Sequence, residues 1–279
     1  MKIKILGSGG CRALPRPTCD CNICKEARLK GEPYKRTGSS IFFEDEKLLI
    51  DTSEDIVYQL NRENIVSVEN IMFSHWDPDH TMGMRVIEQL HDSSWLRTGA
   101  KNPINIMGLS GVEAEIRAIK NMFGSYFDYY EGKKLCKFSV GERFKVGELE
   151  IKLYEVKSDI TATVFCFKKN DKKVIYAPCD IKPIPYDDGL RDADLLIIGA
   201  FYPDSFKTND KIFGTDTVLY SELHTGSEIL KIKKDLGIKR VIVTHLEEEW
   251  KLSYDDYKRL EKEYNDELEF AFDGMEIEL

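Results

Sequence analysis

The chain has 279 residues, a formal net charge of −9, 32% charged and 42% hydrophobic residues, enough for one large core or two small ones. The acidic balance argues against a general nucleic-acid-binding surface, which is normally basic, while leaving room for a local basic pocket. No run approaches the roughly 18 apolar residues of a membrane span. Met1–Gly7 alternates like a strand and lacks a secretory apolar region, so a cytoplasmic protein is expected. Seven cysteines, three of them crowded at Cys19, Cys21 and Cys24, suit metal ligation in a reducing compartment better than a disulfide framework.

In chain order, Ile3, Ile5 and Leu6 form a first strand that runs into Gly7-Ser8-Gly9-Gly10. This turn lacks the Lys-Ser/Thr of a phosphate loop and reads as a site of close backbone packing. The three thiols follow, ahead of a helix at Lys25–Lys30. Alternate cysteines would need two separate buried niches, so a structural zinc on three sulfurs and one remote ligand is expected. Ser40–Phe43 and Lys47–Ile50 are strands, the second ending at Asp51-Thr52-Ser53, with Ser53 as cap of a helix Glu54–Asn64. Val68–Phe73 reads as a buried strand, and Met84–His91 has helical spacing.

Between them lies Ser74–Gly83, which holds two of the five histidines. In an extended loop His75 and Asp77 aim at one point, while Asp79 and His80 serve an adjacent one. Imidazole and carboxylate both bind zinc at roughly 2.0–2.2 Å, and two cations about 3.5–4 Å apart clamp both oxygens of a displacement. Asp51 either braces this loop or simply caps its strand.

The segment 92–141 contains a strand at Ile104–Met107, a helix at Val112–Phe123 and the aromatic run Tyr126–Tyr130, readable as cleft cap, dimer contact or core. Lys137–Val146, Leu149–Val156, Thr163–Lys168 and Val174–Ala177 read as strands of a second sheet. The last ends at Pro178-Cys179-Asp180, and Cys136, Cys166 and Cys179 read as core. Leu195–Ile198 is another buried strand, followed by a loop Ala200–Gly214. His224 sits in a loop at a helix start, off any apolar face, which favours a role on substrate. The helix Glu228–Leu236 feeds a strand Arg240–Thr244 ending at His245. An amphipathic helix Tyr254–Asn265 and edge strands Glu269–Phe272 and Glu276–Leu279 close what reads as one domain, 1–279.

His75-Trp76-Asp77-Pro78-Asp79-His80, followed by Thr81-x-Gly83, resembles the HxHxDH signature of the metallo-β-lactamase superfamily, with Asp77 in place of the second histidine. The Cys19, Cys21, Cys24 trio resembles the CxCxxC of its phosphoribosyl 1,2-cyclic phosphate phosphodiesterase branch, whose fourth ligand is a histidine where this chain has Glu248. The resemblance implies an α/β fold, an αββα sandwich of two mixed β-sheets flanked by helices. It implies one metal site of Asp79, His80, Asp180 and His245, and a second built on His75 and Asp77 and bridged by Asp180. It also implies a structural zinc on Cys19, Cys21, Cys24 and Glu248.

At the third histidine of the second site stands Lys157. Either its ammonium replaces an ion, the preferred reading, or Asp77 with a neighbour such as Asp159 rebuilds an oxygen-rich site suited to Mn or Mg. The implied activity is metal-dependent hydrolysis of a small or cyclic phosphodiester by metal-bound hydroxide. Asp79 or Asp180 would take the proton, and His224, matching the branch's catalytic histidine, would contact the phosphate. The alternatives are a tRNA 3′-end endonuclease, a lactone or thioester hydrolase, and a non-catalytic binding or sensor protein on a decayed scaffold. Expected cofactors are one structural zinc and one or two catalytic ions, zinc or another divalent metal such as manganese. The expected partner is a small phosphodiester, with no membrane, no nucleic acid, and a homodimer left open.

Overall fold

Lys2–Gly7 is buried from Ile3 onward because strands flank it on both sides, and it sets the position of everything that follows. It pairs antiparallel with Met275–Glu278 on one side and Ser40–Phe43 on the other. In this computed structural model, which describes residues 1–91, 99–205 and 219–279, the sheet continues through Leu48–Ile50, Asn70–Met72 and Ile104–Gly108 to Cys136–Val140. A second seven-stranded sheet runs Glu269–Phe270, Arg240–Val243, Leu195–Ile198, Lys172–Ala177, Thr161–Lys169, Leu149–Lys157, Arg143–Val146. Both sheets mix parallel and antiparallel pairs.

The period-2 pattern of strands turns one face of each sheet towards the other. Ile5, Ile41, Phe43, Ile50 and Ile71 meet Phe165, Phe167, Val174 and Ile197 in a single core. Phe43 and Phe167 touch across it with ring centroids 4.4 Å apart. The outer face of the second sheet packs Val164, Ile175, Leu196 and Val241 against Ile229, Ile232 and Leu236 of the helix Gly226–Leu236 and Tyr257 of the helix Tyr254–Glu263. This is the αββα sandwich. Among the described residues no helix is long and apolar enough to cross a membrane.

Three expectations about elements need correction. Lys137–Val146 is not one strand: the chain breaks at Gly141-Glu142, leaving Cys136–Val140 on the edge of the first sheet and Arg143–Val146 on the edge of the second. Glycine is a poor strand former, and here it marks the crossover between layers. The helix predicted over Val112–Phe123 stops at Ala118, where Lys120–Asn121 and Gly124–Ser125 form a small hairpin. The aromatic run is helical, Tyr126–Gly132, started by a capping box of Ser125 and Asp128. Ser53 does not cap the next helix, which begins at Ile56 with Asp55 in the cap position. Of the loop Ala200–Gly214, residues 206–214 lie outside the described residues, as do 92–98 of the segment 92–141.

One buried carboxylate ties the chain's ends to its middle. Asp273, with a fully buried side chain, accepts from Ser8 N and Oγ at 2.8 Å, Thr37 N at 2.9 Å, Thr37 Oγ1 at 2.5 Å and Arg62 Nη1 at 3.0 Å. Removing it leaves those donors and the Arg62 charge unpaired. Asp273→Ala is expected to cost about 3–5 kcal/mol in equilibrium unfolding, whereas Asp266→Ala, an exposed partner of Lys262, should stay within about 1 kcal/mol.

Candidate metal centre

The centre forms where strand ends from both sheets meet. Asn70–Met72 delivers Ser74 and His75, and the chain then turns through Asp77 into the short helix Pro78–Thr81, which carries Asp79 and His80. Proline at the first helical position suits a turn that starts without a usable amide donor. From the second sheet, Lys172–Ala177 delivers Cys179 and Asp180, and Arg240–Val243 delivers His245. Asp180 and His245 both have positive φ, 53° and 52°, so the backbone reverses sharply there and turns each side chain back to the centre.

Fixed hydrogen bonds aim the imidazoles. Asp51 is fully buried and accepts from Ser74 N at 2.7 Å, Ser74 Oγ at 2.7 Å and His80 Nδ1 at 2.8 Å. Because Ser74 Oγ spends its proton on Asp51, it accepts from His75 Nδ1, 2.9 Å away. His245 Nδ1 faces Glu247 Oε1 at 3.1 Å. The Nδ1 atoms of His75 and His80 are held outward by hydrogen bonds, and His245 Nδ1 lies against the Glu247 carboxylate without a hydrogen bond, so all three rings turn Nε2 inward. Asp51 therefore braces the loop rather than only capping its strand.

The inward atoms converge tightly. His80 Nε2 lies 3.2 Å from His245 Nε2 and 3.2 Å from Cys179 Sγ, and Asp79 Oδ2 is 3.4 Å from both of those Nε2 atoms. Cys179 Sγ is 3.6 Å from His75 Nε2, which is in turn 3.6 Å from Asp77 Oδ2 and 3.5 Å from Asp180 Oδ2. Three donor sets result. Asp79, His80 and His245 form one, His75, Asp77 and Asp180 a second, and Cys179 with His75 and His80 a third that overlaps both.

This arrangement fits a divalent cation. Packed this closely, these five atoms satisfy one another only when the imidazoles carry a second proton, donated from Nε2 to Asp79 and Cys179; a divalent cation satisfies the same atoms with the imidazoles neutral. Burial opposes charge on Cys179, yet His75, His80 and His245 pull its thiol well below the ordinary value. Burial likewise opposes protonation of His80 and His245, but Cys179, with Asp51 at one and Asp79 at the other, raises both. His75 rises to about 9 against burial, through Cys179 and Asp77. The field at the centre thus favours positive charge, which a bound dication supplies with the imidazoles neutral. Burial, Cys179 and Asp77 push Asp180 up to about 7.

Several sequence expectations change. Cys179 is buried but is not core filling, because its sulfur faces three imidazoles. Asp180 is not grouped with Asp79, His80 and His245 but with His75 and Asp77, and Cys179, one residue earlier, is grouped with His75 and His80, since Pro178 ends the strand and the turn at Asp180 swings its carboxylate to the His75 side. Lys157 does not substitute for an ion. It lies at the very end of its strand, beyond the core, with a side chain 71% exposed and its ammonium 3.0 Å from Glu155. The carboxylate that joins Asp77 is Asp180 and not Asp159, which bonds to Ser158. Asp159 and Asp77 nonetheless lie close enough to Glu222 to raise it, behind burial as the main cause, so the mouth of the centre is acidic.

Cys19, Cys21, Cys24 and Glu248 bring their donor atoms within 4.8 Å of one another. Glu248 is buried, with Cys24 Sγ 3.9 Å from its Oε1, Arg16 3.5 Å from its Oε2, and Lys251 paired with it. Hydrogen bonds from Cys21 bring the Cys19 thiol down to about 7, and burial pushes Cys24 to about 12. Glu247 links the centre to the glycine turn by accepting from Cys11 N at 3.2 Å. A Cβ at Gly10 would fall 2.3 Å from its carboxylate, which explains the glycine.

His224 lies outside these donor sets, on the short strand His224–Thr225 that pairs with Phe201–Tyr202. It is buried, its Nδ1 has no hydrogen-bond partner, and burial together with Lys182 lowers it to about 4.

The fold and the donor sets are those of a metal-dependent hydrolase scaffold. A model of the beta-lactamase superfamily domain matches residues 46–246, and the chain belongs to that family of metal-dependent hydrolases. Among solved structures it is similar to Zn(2+)-bound PqqB from Methylobacterium extorquens, with TM-score 0.78, 21% identity and 100% of both chains covered. It is similar to a diphosphatase of the PhnP family, with TM-score 0.74 and 19% identity over 100% of this chain and 98% of that one. The human short-form tRNase Z gives TM-score 0.65 and 19% identity over 100% and 99%. At these identities the likeness concerns the fold. A comparison with curated proteins finds no match.

The lowered His224 has a stability consequence. Unfolded, a histidine titrates near 6.5; folded, this one titrates at about 4. The unfolded chain binds the extra proton between those values, so stability is full above pH ~6.5 and falls towards pH ~4, by on the order of 3 kcal/mol from this group. His224→Gln should flatten that part of the stability–pH curve measured by urea unfolding.

Proposed function

We propose that the protein hydrolyses a small phosphodiester in a metal-dependent reaction at this centre. The reading rests on the inward convergence of His75, His80 and His245 Nε2, Asp79 Oδ2 and Cys179 Sγ, each ring held from behind. Asp79, His80 and His245 would hold one ion, His75, Asp77 and Asp180 would hold a second, and Cys179, beside His75 and His80, would lie between them. A divalent ion there acidifies water and offsets charge on a phosphoryl oxygen. Asp180, with a side chain 28% exposed, orients the attacking water and takes its proton. His224, neutral at pH 7, donates an N–H to the phosphate.

The acidic mouth of Asp77, Asp159 and Glu222 disfavours a long polyanion and supports a small substrate over RNA. Likeness to a diphosphatase supports a phosphorus centre over an acyl one. The cysteine trio with Glu248 holds a structural zinc, its excess negative charge offset by Arg16 and Lys251. The free thiols suit a reducing cytoplasm. A second reading, a non-catalytic binding protein, draws on Cys179, whose sulfur 3.2 Å from His80 Nε2 would fill the fourth position beside Asp79, His80 and His245 and leave none for water.

With bis-p-nitrophenyl phosphate and added zinc or manganese, the wild type should turn over, and His80→Ala should lose both activity and bound metal. His224→Ala should lower kcat by about 10²-fold with metal content unchanged. No turnover with any divalent metal would support the binding-protein reading. Cys24→Ser should remove one equivalent of zinc, measured by mass spectrometry, and lower Tm while leaving the catalytic metal in place; equal zinc in wild type and variant would exclude the structural site.

A further inference from the structure

Away from the metal centre, the outer face of the second sheet is covered by helices only over part of its width. At the other edge the three strands Arg143–Val146, Leu149–Lys157 and Thr161–Lys169 form a cleft of about 510 Å³. Cross-strand register decides what lines it, because directly opposed residues share a face. One row is Lys145, Glu150 and Lys168; the next is Arg143, Lys152 and Cys166. Four cations and one carboxylate therefore share this face in a protein of net charge −9. Lys152 is engaged, 3.4 Å from Asp187 and over the ring of Tyr154 at 4.0 Å. Arg143, Lys145 and Lys168 are exposed and, among the described residues, have no ion-pair partner.

Cations gathered on one small face repel one another; Glu150, opposite Lys145 and Lys168, offsets only part of this, and a bound anion offsets the rest. Neighbouring strands stand about 4.8 Å apart and alternate residues about 7 Å apart, so the charges cover a patch a few phosphate groups across. The cleft is of small-ligand size, and the acidic remainder of the surface repels a long polyanion. We infer that this cleft binds a short oligophosphate, as the free ion or as the phosphate chain of a nucleotide, at a site separate from the metal centre.

The test is calorimetric titration with inorganic triphosphate, and separately with a nucleoside triphosphate, at low salt. Wild type and His80→Ala should bind alike, and R143A/K145A/K168A should bind at least about tenfold more weakly. Its Tm without ligand should be equal or higher, and its hydrolysis of bis-p-nitrophenyl phosphate should be unchanged. The conservative R143K/K145R/K168R should recover most of the affinity. Equal affinity for the two ligands assigns the free ion, and tighter nucleotide binding assigns the nucleotide; both uphold the site. The inference is overturned if wild type binds neither ligand. It is also overturned if binding is lost in His80→Ala but kept in the triple alanine variant, or if a single-stranded oligonucleotide binds more tightly than triphosphate.

Discussion

The structure is built around a cluster of donor atoms that positive charge must satisfy, as extra protons on the imidazoles or as a bound cation. Three imidazole nitrogens, a carboxylate oxygen and a thiol sulfur are forced together out of water. In a low-dielectric interior such an arrangement is costly without compensation. The compensation comes from Asp51, Ser74 and Glu247, which hold the rings, and from two sheets rigid enough to keep strand ends a few ångströms apart. The sandwich serves the centre by bringing residues distant in sequence, Asp79, Cys179 and His245, onto one point.

Charge is distributed with some economy around that point. Raised imidazoles and a lowered thiol mark where positive charge is wanted, while the acidic mouth limits what approaches. Glu248 of the cysteine group follows His245 by three residues, and Glu247 between them accepts from Cys11 N. The basic face lies on the same second sheet, on its Arg143–Val146 edge, while Cys179 and His245 follow strands further towards its other edge.

Much of this was legible in the sequence. Ser74–Gly83 carries its ligand types at telling spacing between a strand and a helix, and the αββα sandwich followed from the resemblance it supports. The three thiols were equally plain, and Glu248 follows from its position. Cys179 was hidden because a cysteine after an apolar strand looks like core, and only the turn at Asp180 shows which of the two residues faces the imidazoles. Lys157 misled for a related reason: a strand pattern gives the face of a residue but not whether the core still extends beneath it. The Gly141 crossover was missed because both halves of Lys137–Val146 are good strand sequence, and sheet membership is a long-range property. The basic rows depend on cross-strand register, which the chain alone does not reveal.

The measurement that bears most directly on the account is X-ray absorption at the metal edge, on protein whose Cys19 and Cys24 are replaced by serine so that only the central ion remains. The account predicts one sulfur scatterer near ~2.3 Å with nitrogen and oxygen near ~2.0–2.1 Å, and loss of the sulfur shell on further substitution of Cys179. A retained ion with nitrogen and oxygen neighbours alone, or no ion retained at all, would contradict it.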